Sequence, residues 1–311
     1  MTATIGLDIG GTNVRGVRLD ASGTVLAEAR AGSPPAGTEV LVGTCVDVIA
    51  QVSGAGEAIG VGIAGLIDAD GVVRYSPNLP HLRNAPLREA LAAATGRAVA
   101  VDNDANVAML AEAAHGAARG TSDALLVTLG TGIGGGMLVD GRVYRGAHHL
   151  AGEIGHITVD IDGPLCACGE RGHWEAIASG SALGRMAREL VARGGGEAIV
   201  GAAGGDPAAI TGLHVGPAAA AGDPDARALL DRYADNVAVG IAALVNVFDP
   251  ELVVVGGGVV ELGALLFDPL GRAVAARIEG TEYRPAIGVV PAALGDEASA
   301  VGAAVLARQA S

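Results

Sequence analysis

Asp8-Ile9-Gly10-Gly11-Thr12 sets a carboxylate at the end of an apolar run and follows it with two residues that carry no side-chain bulk. Phosphate oxygens can approach the backbone N–H groups of such a turn and the Thr12 hydroxyl, while Asp8 can hold magnesium through water. The same residues also suit an ordinary hairpin turn. Leu129-Gly130-Thr131-Gly132 repeats the pattern in the second half of the chain, and Gly256-Gly257-Gly258 ends another apolar run. Taken together, the three read as a nucleotide site in which Gly257 and Gly258 let an adenosine lie flat on the backbone. The other reading of the triple glycine is a loose loop.

Asn103-Asp104 falls where a strand gives way to a helix, with the Asp near the positive helix end. Asp102 or Asp104 suits a helix cap there. Asp104 equally suits a base that accepts the proton of a hydroxyl attacking a γ-phosphate. Further on, Glu153 and His156 are followed by Cys166, Cys168, His173 and Glu175. Two thiolates and two imidazoles, His156, Cys166, Cys168 and His173, form a closed tetrahedral set for a structural Zn2+ that would pin the loop carrying Glu153 and Glu175. His156 can serve twice, one ring nitrogen on zinc and the other on a substrate hydroxyl. Reduced thiols beside unrelated histidines are the alternative. His148 and His149 read as surface residues and Cys45 as part of a helix core.

The elements that must position these groups alternate between strand and helix. Residues 5–9 and 14–19 form a hairpin around the first glycine turn, and residues 125–129 and 137–139 form a like unit, which suggests a duplicated topology. Residues 40–51 have helical periodicity, 59–63 read as a buried strand, 87–95 as a helix ended by Gly96, and 99–101 as a short strand. Residues 225–247 predict one long amphipathic helix stopped at Asp249-Pro250, then a buried strand over 252–255. The Gly- and Ala-rich stretch 194–216 has no clear period beyond a short helix near 207–211. A final helix is expected from an Asp296 cap to Arg308.

With 20 basic against 34 acidic residues the net charge is −14, which argues against nucleic-acid binding and leaves any anionic substrate to local devices. ATP with Mg2+ fits that description. No apolar run reaches the ~18 residues of a membrane span, and the N-terminus leads straight into a strand, so a cytoplasmic location is expected. Three cysteines do not suggest a disulfide framework.

The succession of Asp8-x-Gly-Gly-Thr12, Asn103-Asp104-Ala105-Asn106, residues 129–132, Gly152-Glu153-Ile154-Gly155-His156 and the Cys-x-Cys-Gly loop resembles the ROK family of bacterial repressors, open reading frames and sugar kinases, most closely its ATP-dependent glucokinases. The resemblance runs from Asp8 to the C-terminal helix. It implies an α/β fold of two RNase-H-like (actin/hexokinase-type ATPase) lobes with a central cleft. The small lobe is expected over 1–115, completed by the helix 296–311, and the large lobe, with zinc loop and nucleotide site, over 116–295. The resemblance further implies Asp104 as the catalytic base and sugar contacts from Asn78, Asn103, Asp104, Glu153, His156 and Glu175, with backbone help near Gly65. His173 departs from the pattern by standing where the family has a third cysteine. Similar kinases are homodimers or homotetramers.

Several readings stay open at this level. A kinase for N-acetylmannosamine, N-acetylglucosamine, fructose or allose shares the contact set, and polyphosphate is an alternative donor. A sugar-sensing repressor would carry a DNA-binding helix-turn-helix ahead of the first hairpin, and here the hairpin begins by Ile5 on an acidic chain.

Overall fold

The structure is a computed structural model that describes residues 3–35, 37–54 and 56–309. The chain begins with strands β1 (Thr4–Ile9), β2 (Asn13–Leu19) and β3 (Val25–Gly32), helix α1 (Thr38–Val52) and strand β4 (Ile59–Ile63). Three short strands follow, β5 (Leu66–Ile67), β6 (Val73–Tyr75) and β7 (Arg83–Ala85), then α2 (Leu87–Thr95), β8 (Val99–Asn103) and α3 (Asp104–His115). The second half opens with β9 (Ala124–Leu129), β10 (Ile133–Val139) and β11 (Arg142–Val143). Helices α4 (Trp174–Ala178), α5 (Gly180–Ala192), α6 (Glu197–Ala202), α7 (Val215–Ala220) and α8 (Pro224–Phe248) come next. Strand β12 (Leu252–Gly256), α9 (Ala264–Ala275), β13 (Gly288–Pro291) and α10 (Ala298–Ala307) complete the chain.

These elements form two compact units. The first comprises Met1–Ser122, Gly136–Gly152 and Ala293–Ser311, and the second Asp123–Gly135 and Glu153–Ala292. The expected partition at 115/116 and 295/296 differs from this at three places: residues 116–122 and 293–295 extend the first unit by a few positions, and residues 136–152 cluster with it as a separate segment. For residues 136–152 the reason is steric and ionic. Gly136 lies so close to α3 that a Cβ there would sit 2.7 Å from the Ala105 carbonyl oxygen, and Arg145 is bonded to Asp102. The C-terminal helix clusters with the first unit; positions 310 and 311 lie outside the described residues.

In the first unit the sheet order is β3-β2-β1-β4-β8. β1, β4 and β8 are parallel, with Ile9 opposite Ile63 and Ile63 opposite Asn103. Three carboxyl ends therefore finish side by side. One face of the sheet is covered by α1, whose Leu41, Cys45, Val48 and Val52 recur at helical spacing and are buried. The other face is covered by α10, an Ala/Gly helix that approaches the sheet at backbone distance. A Cβ at Gly6 would lie 2.0 Å from the Ala300 carbonyl oxygen, one at Gly60 1.8 Å from that of Ala303, and one at Gly302 1.7 Å from that of Val107 on α3. Only residues without side chains allow this sandwich.

In the second unit β12 runs parallel to both β9 and β13, with Gly256 opposite Thr128. Asp223 caps α8 by accepting from the Ala226 N–H, and Pro224 occupies its first turn. Asp249, in the left-handed region at φ 47°, ends it. Trp174 is fully buried against α8, where a Cβ on Gly240 would sit 2.1 Å from its ring. The polar tips of both large aromatics find partners, Trp174 Nε1 donating to the Asn236 carbonyl and the Tyr233 hydroxyl to that of Ala178. Thus α8 fixes α4 and the loop ahead of it.

The short helix expected near 207–211 is a 3-10 turn over Pro207–Ala209, and the aperiodic stretch around it holds α6 and the start of α7. Elements of about six residues are too short to display a helical period. Asp296 does not cap α10. It lies in a 3-10 turn, Gly295–Glu297, whose Asp296 carbonyl accepts from Arg15.

Two glycines of opposite context test this packing. Gly43 lies exposed in α1 with no atom within 4 Å of its Cβ position, so Gly43→Ala is expected to stabilise the protein by about 1 kcal/mol. Gly60→Ala is expected to destabilise it by about 3 kcal/mol or more. Urea denaturation of both variants checks the pair, and a neutral Gly60→Ala would contradict the backbone contact.

Candidate active site

Asp8, one residue before the end of β1, is half-buried, and its Oδ1 accepts from the Ser299 hydroxyl at 2.8 Å. The hairpin that follows is closed by the Gly10 N–H donating to the Asn13 carbonyl at 2.9 Å. Ser33 clamps it by donating its hydroxyl to Gly10 O and its N–H to Thr12 O. Gly11 and Thr12 are exposed at the tip. Gly11 abuts Asn78, whose carbonyl oxygen would lie 3.0 Å from a Cβ there.

On the far side of β4 from this hairpin the end of β8 turns directly into α3. Asn103, not Asp102 or Asp104, is the cap: its Oδ1 accepts from the N–H groups of Ala105 at 2.8 Å and Asn106 at 3.3 Å. An Asn in extended conformation before the first turn is among the best caps available. Its Nδ2 donates to the Gly65 carbonyl at 3.1 Å. Gly65 itself adopts φ 133° and sits where a Cβ would be 2.2 Å from the Tyr75 carbonyl oxygen, so only glycine fits. Asp104 is thereby held in the first turn of α3, half-buried. The first unit thus assembles Asp8, Gly10, Gly11, Thr12, Gly65, Asn78, Asn103 and Asp104 along adjacent strand ends, where α/β sheets bind ligands.

The second unit assembles the other half of the expected residues. The Gly130 N–H donates to the Gly132 carbonyl, and the Gly180 N–H at the start of α5 donates to the Gly130 carbonyl at 2.8 Å. Thr131 is exposed at this tip. Gly132 is required for an unexpected reason: a Cβ there would meet the Glu175 carboxylate at 2.2 Å. Glu175 Oε2 accepts from the Ile133 N–H at 2.9 Å, and its Oε1 accepts from the Cys166 thiol at 3.4 Å. Gly257, at φ 85°, lies against the Leu129 backbone, whereas the Cβ position of Gly258 has no neighbour within 4 Å.

A cavity of about 710 Å3 lies within this unit, lined among others by Thr131, Gly180, Ser181, Arg188, Gly258 and Leu262. Thr131 and Gly258 were expected there, while Gly132, Gly256 and Gly257 support its wall without lining it. Sequence reasoning missed the contributions of α5 and of residues 211–217. The one available signal was Ser179-Gly180, a capping serine followed by a residue that permits close approach. Arg188 is tied to the wall, donating to the Ile210 carbonyl.

The donor atoms of His156, Cys166, Cys168 and His173 lie within 4.8 Å of one another. Cys168 Sγ and His156 Nδ1 stand 3.2 and 3.3 Å from His173 Nδ1, and Cys166 Sγ stands 3.9 Å from His156 Nδ1. The other His156 nitrogen, Nε2, faces Glu153 Oε2 at 3.8 Å. Burial, eased by His156 and reinforced by Glu175, holds the Glu153 carboxyl above its usual range. Burial also pushes the Cys166 thiol up to about 11. Cys45 is buried in α1, as expected. His148 and His149 are exposed.

Two units of one strand topology, each with a glycine hairpin after its first strand, define the RNase-H-like class of ATPase folds. The model of the ROK family matches residues 4–310, and the chain belongs to that family. It is 36% identical to a glucokinase of Streptomyces coelicolor over 314 residues, covering 99% of this chain and 98% of that one. It is also 36% identical to a glucokinase of Thermotoga maritima over 309 residues, covering 98% and 97%. The crystal structure of a ROK family glucokinase from Streptomyces griseus, in complex with glucose and AMPPNP, superposes with a TM-score of 0.88 at 38% identity, covering 99% of this chain and 100% of that one.

Desolvation, only partly offset by the Ser299 hydrogen bond and the Arg15 charge, lifts the Asp8 carboxyl above its ordinary range. Between the ordinary value and the raised one the native state binds more protons than the unfolded chain, so this group's contribution to stability falls as pH rises through that window. Asp8→Asn is therefore expected to gain stability relative to the wild type at pH 7, and to lose that gain toward about pH 4. Urea denaturation at both pH values measures it; a variant equally destabilised at both would contradict the burial argument.

Proposed function

We propose that the protein is an ATP-dependent hexose kinase that transfers the γ-phosphate to the 6-hydroxyl of glucose. The observation that carries this reading is the bonding of Asn103, which caps α3 with one end of its amide and holds Gly65 with the other, fixing Asp104 at the helix start. Relatives identical at 36% over nearly the whole chain and named glucokinase support it.

In this reading Asp104 is the base. It receives the proton of the sugar hydroxyl as the oxygen–phosphorus bond forms and the bond to the ADP leaving group breaks. Gly65, Asn78, Asn103, Glu153, His156 and Glu175 hold the other hydroxyls. Amide and carboxylate partners suit vicinal hydroxyls, and a wrong epimer leaves them unpaired. The 710 Å3 cavity takes the nucleoside of ATP, with Thr131 and Gly258 in its lining. Gly132, Gly256 and Gly257 shape the nearby backbone, and Asp8, Gly10, Gly11 and Thr12 receive phosphate and Mg2+. Bound Mg2+ supplies charge neutralisation, and Asp8 at its strand end is the carboxylate suited to hold it through water.

His156, Cys166, Cys168 and His173 fit a structural zinc ion. Ligands of a tetrahedral zinc stand ~3.4–3.8 Å apart, close to the 3.2–3.9 Å of three donor pairs here, with all four donors within 4.8 Å of one another. His173, in place of a cysteine, reaches the cluster with Nδ1. The reading extends to a cytoplasmic homodimer or homotetramer, a point for light scattering.

A coupled ADP-release assay over glucose, fructose, allose, N-acetylmannosamine and N-acetylglucosamine, with ATP or polyphosphate, tests the proposal. Glucose with ATP is expected to give the highest kcat/KM; turnover of an N-acetylhexosamine alone would reassign the substrate, and sugar binding without any turnover would favour a sensor. Asp104→Ala is expected to lower kcat by roughly 10³-fold while glucose binding stays measurable by calorimetry. For zinc, elemental analysis is expected to find one ion per chain. Cys166→Ser is expected to lose it together with several degrees of Tm and part of the glucose affinity. A metal-free protein of unchanged Tm would refute the site.

A further inference from the structure

Asp102 is 6% exposed, and its two carboxylate oxygens bond in two directions, one to the start of α3 and the other to Arg145. Its Oδ1 accepts from the Asn103 N–H at 2.8 Å and from Asn106 Nδ2 at 2.9 Å. Asn106 is itself 1% exposed, one turn into the helix. One oxygen of Asp102 therefore ties the last residues of β8 to the first turn of α3, across the position of Asp104. The second oxygen, Oδ2, accepts from Arg145 Nε at 2.6 Å.

Arg145 comes from the segment after β11, 41 to 43 residues further along the chain than Asp104 and Asp102. It is held there by a second bond, Nη1 donating to the Val143 carbonyl at 3.3 Å, while Nη2 is enclosed without a hydrogen-bond partner. A donor left unsatisfied in the interior is unfavourable, so packing and the Asp102 ion pair determine the orientation of this guanidinium. Gly136 presses the same segment onto the Ala105 carbonyl and Met109. The start of α3 is thus braced from outside by an ion pair and a backbone contact, both supplied by residues 136–145.

We infer that Asp102 and Arg145 are a positioning pair for the reaction: the ion pair sets the orientation in which Asn103 and Asp104 meet the sugar hydroxyl. This rests on the kinase reading for its kinetic consequence and on geometry alone for its structural one. A charge-assisted bond from Nε at this angle needs the forked guanidinium, which an ammonium does not reproduce.

The test uses the full chain with Arg145→Gln, Arg145→Lys and Asp102→Asn. Each is expected to lower kcat/KM for glucose by roughly 10- to 100-fold through misplacement of Asp104, with the KM for ATP within about twofold of wild type. Arg145→Lys is expected to restore Tm more fully than kcat/KM. In Arg145→Gln the amides of Ala105 and Asn106 are expected to exchange with deuterium at least ~10-fold faster than in the wild type, with distant helices unchanged. Sugar kinetics within about twofold of wild type in all three variants, or losses that track Tm and ATP affinity equally, would overturn the positioning role. If the wild type phosphorylates no sugar, the kinase reading falls, and amide exchange at Ala105 and Asn106 then decides the pair by itself. Should Arg145→Gln fail to fold, Arg145→Lys and Asp102→Asn carry both measurements.

Discussion

Everything in the first unit depends on how closely α10 lies on the sheet. Gly6, Gly60 and Gly302 leave less space than any Cβ requires, so the helix backbone rests directly on β1, β4 and α3. This contact brings Ser299, near the start of α10, within hydrogen-bond reach of Asp8. It also fixes α3 against the sheet, so that the cap at Asn103 forms at the carboxyl ends of the strands. Close packing of this kind has few alternative arrangements, because nothing flexible separates the backbones. The chemistry-bearing residues inherit that rigidity.

The second unit is organised by a side chain instead of a backbone contact. Glu175 bonds the Ile133 amide after the second glycine hairpin with one oxygen and Cys166 with the other. Trp174, its neighbour in sequence, is buried against α8 and bonded to Asn236. The hairpin, the cysteine loop and the longest helix are thereby joined through two adjacent residues. A carboxylate in that position can serve a substrate only where its backbone is already immobile, and burial of Trp174 supplies the immobility.

The sequence made the repeated hairpins, the strand-to-helix junction at 103–104 and the four metal-type donors legible, because each is a local pattern of residue types with a local physical cause. The long helix α8 was legible for the same reason, having both a period and a stop. What the sequence concealed was non-local. Nothing in residues 102–106 says that Asn103 reaches Gly65 while Asp102 turns away to Arg145; a run of Asp-Asn-Asp offers three capping side chains, and tertiary partners select among them. Gly132 was read as room for phosphate, whereas the immediate demand on it comes from Glu175, 43 residues away. Residues 136–152 were assigned to the wrong side of a boundary by chain order, which cannot anticipate Gly136 against Ala105. Short helices such as α6 carry too few turns to show a period.

The charge balance explains why so much of the candidate site is backbone. At a net charge of −14 the protein repels phosphate at long range. The attraction must then act at short range, through backbone N–H groups of the glycine hairpins, where screening matters little. Thr131 and Gly258 in the cavity lining fit that requirement, and Arg188 lies beside them while donating to the Ile210 carbonyl. Placing glycine where backbone must meet ligand or backbone serves both ends at once. It lets α10 settle onto the sheet, and it keeps side-chain bulk away from the hairpin backbone of each unit, where an anion that the rest of the surface would turn away can approach.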